Sequence, residues 1–306
     1  MDRRAVLILF FIAVVLASGI SFLIIKLAPE VKGGRIDRSR IIYDRAEEFL
    51  NEGEPGKAIN AFIIAVKQYP DSQYAERSLR RLALMHHKSE NYPQARYYYQ
   101  AIIDGFPETK DADQIKSIVE DLNMKILLSP EISEDSVEYE VQRGDSLFNI
   151  AKKFNTTVEL IKKMNDLKND TIKPGQKLKI NIARFYIIVD KSDNILTLEK
   201  DGKPFKAYVV STGKDNSTPV GIFKIEEKMV KPVWYKVGAV VSPDSEKYEL
   251  GERWMGLSVT GYGIHGTSDE STIGKQITQG CVRMRNNEVV ELYEIVPSGT
   301  EVEIKD

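Results

Sequence analysis

Near its carboxyl end the chain reads Ile264-His265-Gly-Thr-Ser-Asp-Glu-Ser-Thr-Ile-Gly-Lys-Gln-Ile-Thr278-Gln-Gly280-Cys281-Val-Arg283-Met284. Cys281 is the only cysteine, and it follows His265 by sixteen residues. A thiol is a weak nucleophile while protonated, and a neighbouring imidazole lowers its pKa and accepts its proton. The stretch therefore predicts that Cys281 is a catalytic nucleophile with His265 as its base. The alternative is a buried cysteine that only packs, as free cysteines usually do.

The residues around this pair resemble the active-site signature of the L,D-transpeptidase catalytic family. That signature is histidine-glycine, a spacer of about this length, and then Ser/Thr-x-Gly-Cys-hydrophobic-Arg. Upstream, Ser211-Thr-Gly213 and Thr218-Pro-Val-Gly-Ile-Phe223 continue the resemblance, which covers about residues 183–306. One position departs from it, because many members carry histidine where this chain has Gln279.

The resemblance implies a two-step acyl transfer. The Cys281 thiolate would attack the carbonyl of the third residue of a peptidoglycan tetrapeptide stem, and His265 would carry the thiol proton to the departing D-alanine. The backbone carbonyl of Gly266 would orient the imidazole. Backbone N–H groups around Gly280, Cys281 and Val282 would stabilise the oxyanion. An amine of a second stem would then receive the acyl group, giving a 3→3 cross-link without any cofactor.

Three residues are predicted to contact the stem peptide: Arg283, Tyr262 and Thr278. The guanidinium of Arg283 suits a substrate carboxylate, but a buried arginine that braces the loop is equally compatible with the sequence. Trp234 and Trp254 are candidates for the cleft wall, although packing in the core is the simpler role for both.

Composition excludes several classes of protein. The 306 residues include 43 lysines and arginines and 45 acidic residues, so no basic excess favours nucleic-acid binding. Three histidines and one cysteine do not provide an ordinary zinc site, and a single cysteine forms no internal disulfide. The length allows two or three domains.

The amino terminus predicts a membrane anchor. The run Ala5–Ile25 is uncharged and apolar, and as a helix it would span about 31 Å, the thickness of the bilayer core. A cleaved signal peptide is the alternative, but its apolar region is usually shorter. We interpret residues 1–28 as a cytoplasmic tail and transmembrane helix. Lysines and arginines on both sides leave the orientation open; the wall-directed modules described below favour a single-pass protein of the bacterial inner membrane that faces the periplasm or cell wall.

Residues 39–128 are predicted to be helical and internally repeated. Ala58 and Pro70 recur as Ala95 and Pro107, each 37 residues later. A period in this range is typical of helix-turn-helix arrays, in which each unit buries its apolar face against the next. The segment resembles tetratricopeptide repeats, which implies a possible protein partner.

Residues 138–182 follow a charged linker, 129–136, and closely resemble the LysM module. The matching residues are Tyr139-Glu-Val-Gln-Arg-Gly-Asp-Ser-Leu147, Ile150-Ala151, Asn165 and Ile172-Lys-Pro-Gly-Gln-Lys-Leu178. The resemblance implies a β-α-α-β fold. Asp145 is predicted to cap the first helix, and Thr156 with Glu159 has capping-box spacing for the second.

The LysM resemblance also implies binding of glycan that contains N-acetylglucosamine. The groove would lie between the loop after the first strand and the loop before the second. The candidate glycan-binding residues are Asp145, Ser146, Leu147, Asn165 and Ile172.

Residues 183–306 are predicted to form a mostly-β domain, as the family resemblance implies. Segments rich in β-branched and aromatic residues predict strands. A short helix is predicted from Asn287 to Ile295. The predicted strands are 184–190, 195–198, 206–210 and 221–225.

Two other functions remain open from the sequence. Water could replace the acceptor amine, which would make the protein an L,D-carboxypeptidase that trims stems. Alternatively, the LysM module and the repeats could act as a wall-binding scaffold beside an idle catalytic domain, for which Gln279 is the main argument.

Overall fold

The computed structural model describes residues 37–236, 239–245 and 248–306. The predicted anchor, residues 1–28, lies outside these ranges. Within them, no helix is both long enough and apolar enough to cross a bilayer.

The first structured region is helical, as predicted. Each helix packs against the next along the chain, and its apolar stripe is buried in a core that includes Phe62, Leu82, Ile102 and Leu122. Pro55 occupies the first turn of the second helix, where a missing N–H costs nothing. The assignment to tetratricopeptide repeats stays a prediction. The helices are α1 (Arg38–Asn51), α2 (Pro55–Gln68), α3 (Gln73–Lys88), α4 (Tyr92–Gly105) and α5 (Ala112–Leu128).

The LysM segment has the predicted β-α-α-β order. Its two strands pair antiparallel, with Val137 opposite Ile180, and seven buried apolar side chains, Ile150 and Ile161 among them, fill the space beneath the helices. The elements are β1 (Ser136–Glu140), α6 (Leu147–Phe154), α7 (Val158–Met164) and β2 (Lys177–Asn181).

The predicted caps of α6 and α7 are each wrong by one residue. Ser146, not Asp145, caps α6 by accepting from the Asn149 N–H. Asp145 accepts instead from the Gln142 N–H and the Tyr139 hydroxyl, both at 2.8 Å, and so closes the preceding turn. Thr157, not Thr156, caps α7.

The carboxyl-terminal region is mostly β, as predicted. Among the described residues its largest sheet has eight strands in the order β13-β11-β10-β7-β14-β3-β4-β5. Two pairs in it are parallel, β11 with β13 and β14 with β3. Two small ladders, β6 with β12 and β8 with β9, stand apart from it. The strands are β3 (Phe185–Asp190), β4 (Ile195–Lys200), β5 (Lys203–Val209), β6 (Thr212–Gly213), β7 (Gly221–Val230), β8 (Trp234–Lys236), β9 (Ala239–Val241), β10 (Arg253–Leu257), β11 (Gly263–His265), β12 (Gln276–Thr278), β13 (Val282–Arg283) and β14 (Glu301–Lys305).

The helix and all four strands predicted for this domain differ in length from the structure, and β7 differs most. Helix α8 runs Asn286–Ile295, one residue longer than predicted. Strand β7 continues five residues beyond the predicted end at Ile225, because residues 226–230 pair with β10 although most of their side chains are exposed. Such a stretch lacks the alternation that marks a half-buried strand.

The three regions, each with its own core, also meet in one buried cluster. Met124 and Leu127 of α5, with Leu160 and Met164 of α7, pack into the same cluster as the strands of the carboxyl-terminal domain. The Asn123 side chain also donates to the Phe205 carbonyl at 2.8 Å across this contact. The helical region and the LysM segment are therefore docked on the β domain.

A buried lysine ties the LysM segment to the helical region. The Lys179 side chain, on β2, is 3% exposed, and its Nζ donates to the carbonyls of Ile126, Leu127 and Ser129 at 3.2, 3.3 and 2.7 Å. These carbonyls belong to the end of α5, where a cation is favoured. Burial lowers the pKa of Lys179.

We expect Lys179→Met to reduce the free energy of unfolding by about 1–3 kcal/mol, because it leaves buried helix-end carbonyls without a donor. Urea unfolding measures the change. Lys177→Met is the matched control, since Lys177 lies on the same strand and its ion pair with Glu138 is exposed. Its effect should stay below about 0.5 kcal/mol. Equal losses in both variants would contradict a special role for Lys179.

Candidate active site

Cys281 lies in a tight turn between β12 and β13. Gly280 has φ +122°, and a Cβ on it would fall 2.5 Å from the Tyr262 ring and 3.0 Å from the Ser217 carbonyl. Only glycine fits such a conformation and such a space. The Thr278 hydroxyl closes the turn by donating to the Cys281 carbonyl at 2.6 Å and accepting from the Gly280 N–H at 3.2 Å.

The parallel pairing of β11 with β13 brings the histidine next to this turn. His265 lies opposite Arg283, and Ile264 lies opposite Val282. Cys281 directly precedes β13, so the same register places it beside Gly263. Positions two apart share a face of a strand, so Cys281 and His265 lie on the same face. A Cβ at Gly263 would fall 2.7 Å from the Trp254 ring, so glycine at this position makes room for the indole that stacks on His265.

The His265 ring is fixed on two sides. It is 4% exposed, its Nδ1 lies 2.7 Å from the Gly266 carbonyl oxygen, and it stacks on the Trp254 indole with 5.8 Å between ring centroids. A carbonyl can only accept, so Nδ1 carries the proton and Nε2 keeps its lone pair. An imidazole in this tautomer can receive a proton at Nε2.

The environment keeps both groups neutral at pH 7. Burial, with the nearby Arg283 charge, lowers the pKa of His265 to about 4. Burial also raises the pKa of Cys281, although a hydrogen bond from the Gly263 backbone and the Arg283 charge oppose that shift. The predicted lowering of the thiol pKa by the imidazole is therefore wrong for the resting site. A thiol and a neutral base have to transfer the proton as the sulfur attacks.

The Arg283 side chain is largely buried, and its guanidinium contacts other protein groups. Its side chain is 13% exposed, and its two Nη atoms lie 3.2 Å from the Thr272 hydroxyl and 3.5 Å from a Glu249 carboxylate oxygen. These contacts favour the bracing role over the predicted binding of a substrate carboxylate.

Two of the predicted oxyanion donors are engaged elsewhere. The Gly280 N–H donates to Thr278, as described above. Alternate N–H groups of a strand point the same way; the Met284 N–H donates to His265, so that of Val282 also points into the β11 ladder. The Cys281 N–H has no acceptor among the described residues, which leaves it as the candidate.

Of the other two predicted stem contacts, Thr278 has a structural role and Tyr262 is only partly exposed. Thr278 is 5% exposed and its hydroxyl is used within the turn, so it is not available to a substrate. Tyr262 is half-buried and packs on Gly280. The sequence favoured core packing for Trp254. In the structure it lies opposite His265 on β10 and forms one wall of the site.

The predicted glycan-binding residues of the LysM segment mostly have structural roles. Leu147 is 2% exposed and Ile172 packs against the segment's core. The Asn165 amide is fully used, donating to the Ile161 and Lys179 carbonyls and accepting from the Lys179 N–H. Asp145 and Ser146 form the turn and cap described above. Phe148, the last residue of the first groove loop that the LysM resemblance implies, is the second residue of α6 and is 68% exposed.

No three His, Cys, Asp or Glu side chains cluster as metal ligands in the part of the chain that the structure describes. The chemistry available in the site is that of a thiol, a neutral imidazole and backbone donors.

Two family patterns match the chain. The pattern described as YkuD, L,D-transpeptidase catalytic domain, covers residues 184–304, and that of the LysM domain covers residues 139–181.

The chain is also similar to proteins of known sequence and structure. YqjB of Bacillus subtilis, provisionally named an L,D-transpeptidase, is 41% identical over 127 residues, which are 40% of this chain and 71% of the relative. YkuD of the same organism, named likewise, is 32% identical over 54% of this chain and 97% of its own length. A solved L,D-transpeptidase from Mycobacterium smegmatis is 20% identical with a TM-score of 0.35, and the match covers 43% of this chain and 64% of that one, just under two thirds.

The His265 pKa of about 4, against 6.5 for a free histidine, predicts a pH-dependent stability. Between these values the unfolded chain binds a proton that the folded chain does not, so stability present above pH 6.5 falls as the pH approaches 4. The loss should be on the order of 3 kcal/mol. Carboxylates titrate in the same range, so urea unfolding from pH 7 to pH 4 should compare the parent with His265→Gln. Parallel curves for the two proteins would contradict the shift.

Proposed function

Because this chain belongs to the L,D-transpeptidase family, we propose that Cys281 forms an acyl-enzyme with a peptidoglycan stem and transfers it to an acceptor amine. The observation that carries the proposal is the neighbourhood of Cys281 and His265, with Nδ1 of the imidazole held by the Gly266 carbonyl. This arrangement supplies a nucleophile, a base and an orienting group, the three roles of a catalytic triad.

The first step is acylation. The sulfur attacks the carbonyl carbon of the third stem residue while His265 Nε2 takes the thiol proton. The tetrahedral intermediate then expels the D-alanine amine, which receives that proton from the imidazolium, and a thioester remains on Cys281. Trp254 and burial exclude water from the imidazole. Loss of water disfavours the charged imidazolium, so the ring readily gives up the proton after each transfer and becomes neutral again.

The oxyanion of the intermediate needs a donor, and the Cys281 N–H is the free one in the turn. One such donor contributes about 3–4 kcal/mol to transition-state stabilisation when it is aimed at the developing charge. Thr278 and Gly280 support it by fixing the turn, rather than by contacting the substrate.

The second step decides the product. An uncharged amine on the third residue of another stem attacks the thioester, and His265 accepts its proton. The C–S bond breaks, the leaving sulfur takes that proton from the imidazolium, and a 3→3 cross-link results. Water in place of the amine would give a trimmed stem, as in an L,D-carboxypeptidase. Both products come from the same acyl-enzyme.

The LysM match supports binding of peptidoglycan glycan, and we propose that Phe148, in the first turn of α6, contributes to it. An exposed aromatic ring offers a flat apolar surface for the face of a sugar. We further propose that residues 1–28 anchor the chain in the inner membrane with the wall-directed modules outside the cytoplasm, where their substrate lies.

We expect the purified protein to convert tetrapeptide-containing muropeptides into dimers linked through their third residues, and Cys281→Ala to form none. Mass spectrometry of the products measures this. Cross-links made by the variant would contradict the assignment. Trimmed monomers without dimers would instead support the carboxypeptidase alternative.

A carbapenem provides a second test of the nucleophile. We expect intact-mass analysis to show one added carbapenem on the parent and none on Cys281→Ala. Far-UV circular dichroism controls for folding. A folded parent that takes up no carbapenem and processes no stem would favour the scaffold alternative.

We expect Phe148→Ala to weaken binding to soluble oligomers of N-acetylglucosamine by roughly tenfold, as the loss of a central aromatic contact does. Calorimetric titration measures the affinity. Ile132→Ala is the control, since Ile132 is also apolar and half-exposed but precedes β1. An unchanged affinity in Phe148→Ala would exclude the ring from the groove.

A further inference from the structure

We infer that Asn286 is a positioning residue for the proposed reaction: it holds the peptide group between Gly266 and Thr267 and thereby fixes the direction of the His265 ring. This inference rests on the proposed function, since it assigns His265 the role of base.

The Asn286 amide bridges two backbone segments next to the site. Asn286 is the first residue of α8. Its Oδ1 accepts from the Glu252 N–H at 3.0 Å and from the Thr267 N–H at 3.2 Å, and its Nδ2 donates to the Thr267 carbonyl at 2.7 Å. Three hydrogen bonds thus connect the start of the helix, the turn before β10 and the turn after β11.

Two glycines make room for this amide. A Cβ at Gly251 would lie 2.2 Å from Asn286 Oδ1, and one at Gly266 would lie 2.3 Å from it. Gly251 also has φ +66°, which disfavours any side chain. The backbone therefore packs against the Asn286 amide on both sides, and the amide is an integral part of the turn.

One planar peptide group connects this amide to the catalytic base. The Thr267 N–H and the Gly266 carbonyl belong to the same peptide unit, which is rigid and trans. Asn286 Oδ1 accepts at the nitrogen end, and the oxygen end accepts from His265 Nδ1 at 2.7 Å. Rotation of the peptide away from His265 would break the bond to Asn286 as well. Aligned hydrogen bonds of this kind also polarise one another.

The consequence is a fixed tautomer. While the Gly266 carbonyl faces Nδ1, the imidazole proton stays there and Nε2 faces the substrate side. If the peptide is free to turn, Nδ1 loses its acceptor, the second tautomer becomes populated, and part of the protein presents an N–H where a base is needed.

Asn286→Ala tests the inference on the full-length protein. We expect acylation by a carbapenem to slow by about 10- to 100-fold, the cost of a small displacement in a site. Asn286→Asp keeps the acceptor for the Thr267 N–H and should stay within about tenfold of the parent. Asn287→Ala is the matched control, because Asn287 is exposed on the same helix turn and should leave the rate unchanged.

A readout that needs no substrate separates positioning from folding. Nitrogen-15 NMR of histidine-labelled protein reports which ring nitrogen carries the proton. We expect the parent, Asn286→Asp and Asn287→Ala to show the Nδ1–H form for His265, and Asn286→Ala to show a mixture. The urea midpoint of each variant records any loss of stability.

The outcomes distinguish this inference from the proposed function. A mixed tautomer in Asn286→Ala would support positioning even if the parent makes no cross-link, in which case the proposed function alone fails. A parent-like Nδ1–H signal with a parent-like acylation rate in folded Asn286→Ala would overturn the inference. A slower rate with the Nδ1–H signal intact would overturn it too, because the effect would then not pass through the imidazole.

Discussion

The site depends on one short parallel pairing, β11 with β13. It aligns Cys281 and His265 on the same face of neighbouring strand ends, although sixteen residues separate them in sequence. Glycines at 263 and 280 make room for the Trp254 and Tyr262 rings, respectively. The pairing is parallel, so a crossover must connect the strands, and the spacer of the sequence motif provides it. The length of that spacer is a structural requirement as well as a family signature.

The described domains form a docked assembly around α8. Its first residue, Asn286, contacts the turn that orients His265. Its last turn accepts from the Thr157 hydroxyl of the LysM segment at the Glu294 carbonyl and from half-buried Lys228 at the Tyr293 and Val296 carbonyls. Ten helical residues span about 15 Å. The LysM segment therefore meets the carboxyl-terminal domain one short helix away from His265, the proposed base.

Much of this architecture could be predicted because it is encoded locally. Helix periodicity, the LysM residues and the His-Gly to Gly-Cys motif each depend on neighbours in sequence. The N-cap of α6 was harder, since Asp145 and Ser146 are both good caps and the competing turn at Tyr139 decides between them. The thiol pKa and the Asn286 bridge could not be predicted, because burial and contacts between distant segments determine them. The pKa of Cys281 is the clearest case, because the sequence predicted a lowered value and burial raises it.

The neutral resting state of Cys281 also bears on the durability of the protein. Peroxides and disulfides react with thiolates far faster than with thiols. A sulfur that stays protonated at rest is a poor target for them, and no second cysteine is present in the sequence to form an internal disulfide with it. The same burial that makes Cys281 slow to ionise would thus protect it in the extracytoplasmic compartment proposed above, where conditions are oxidising.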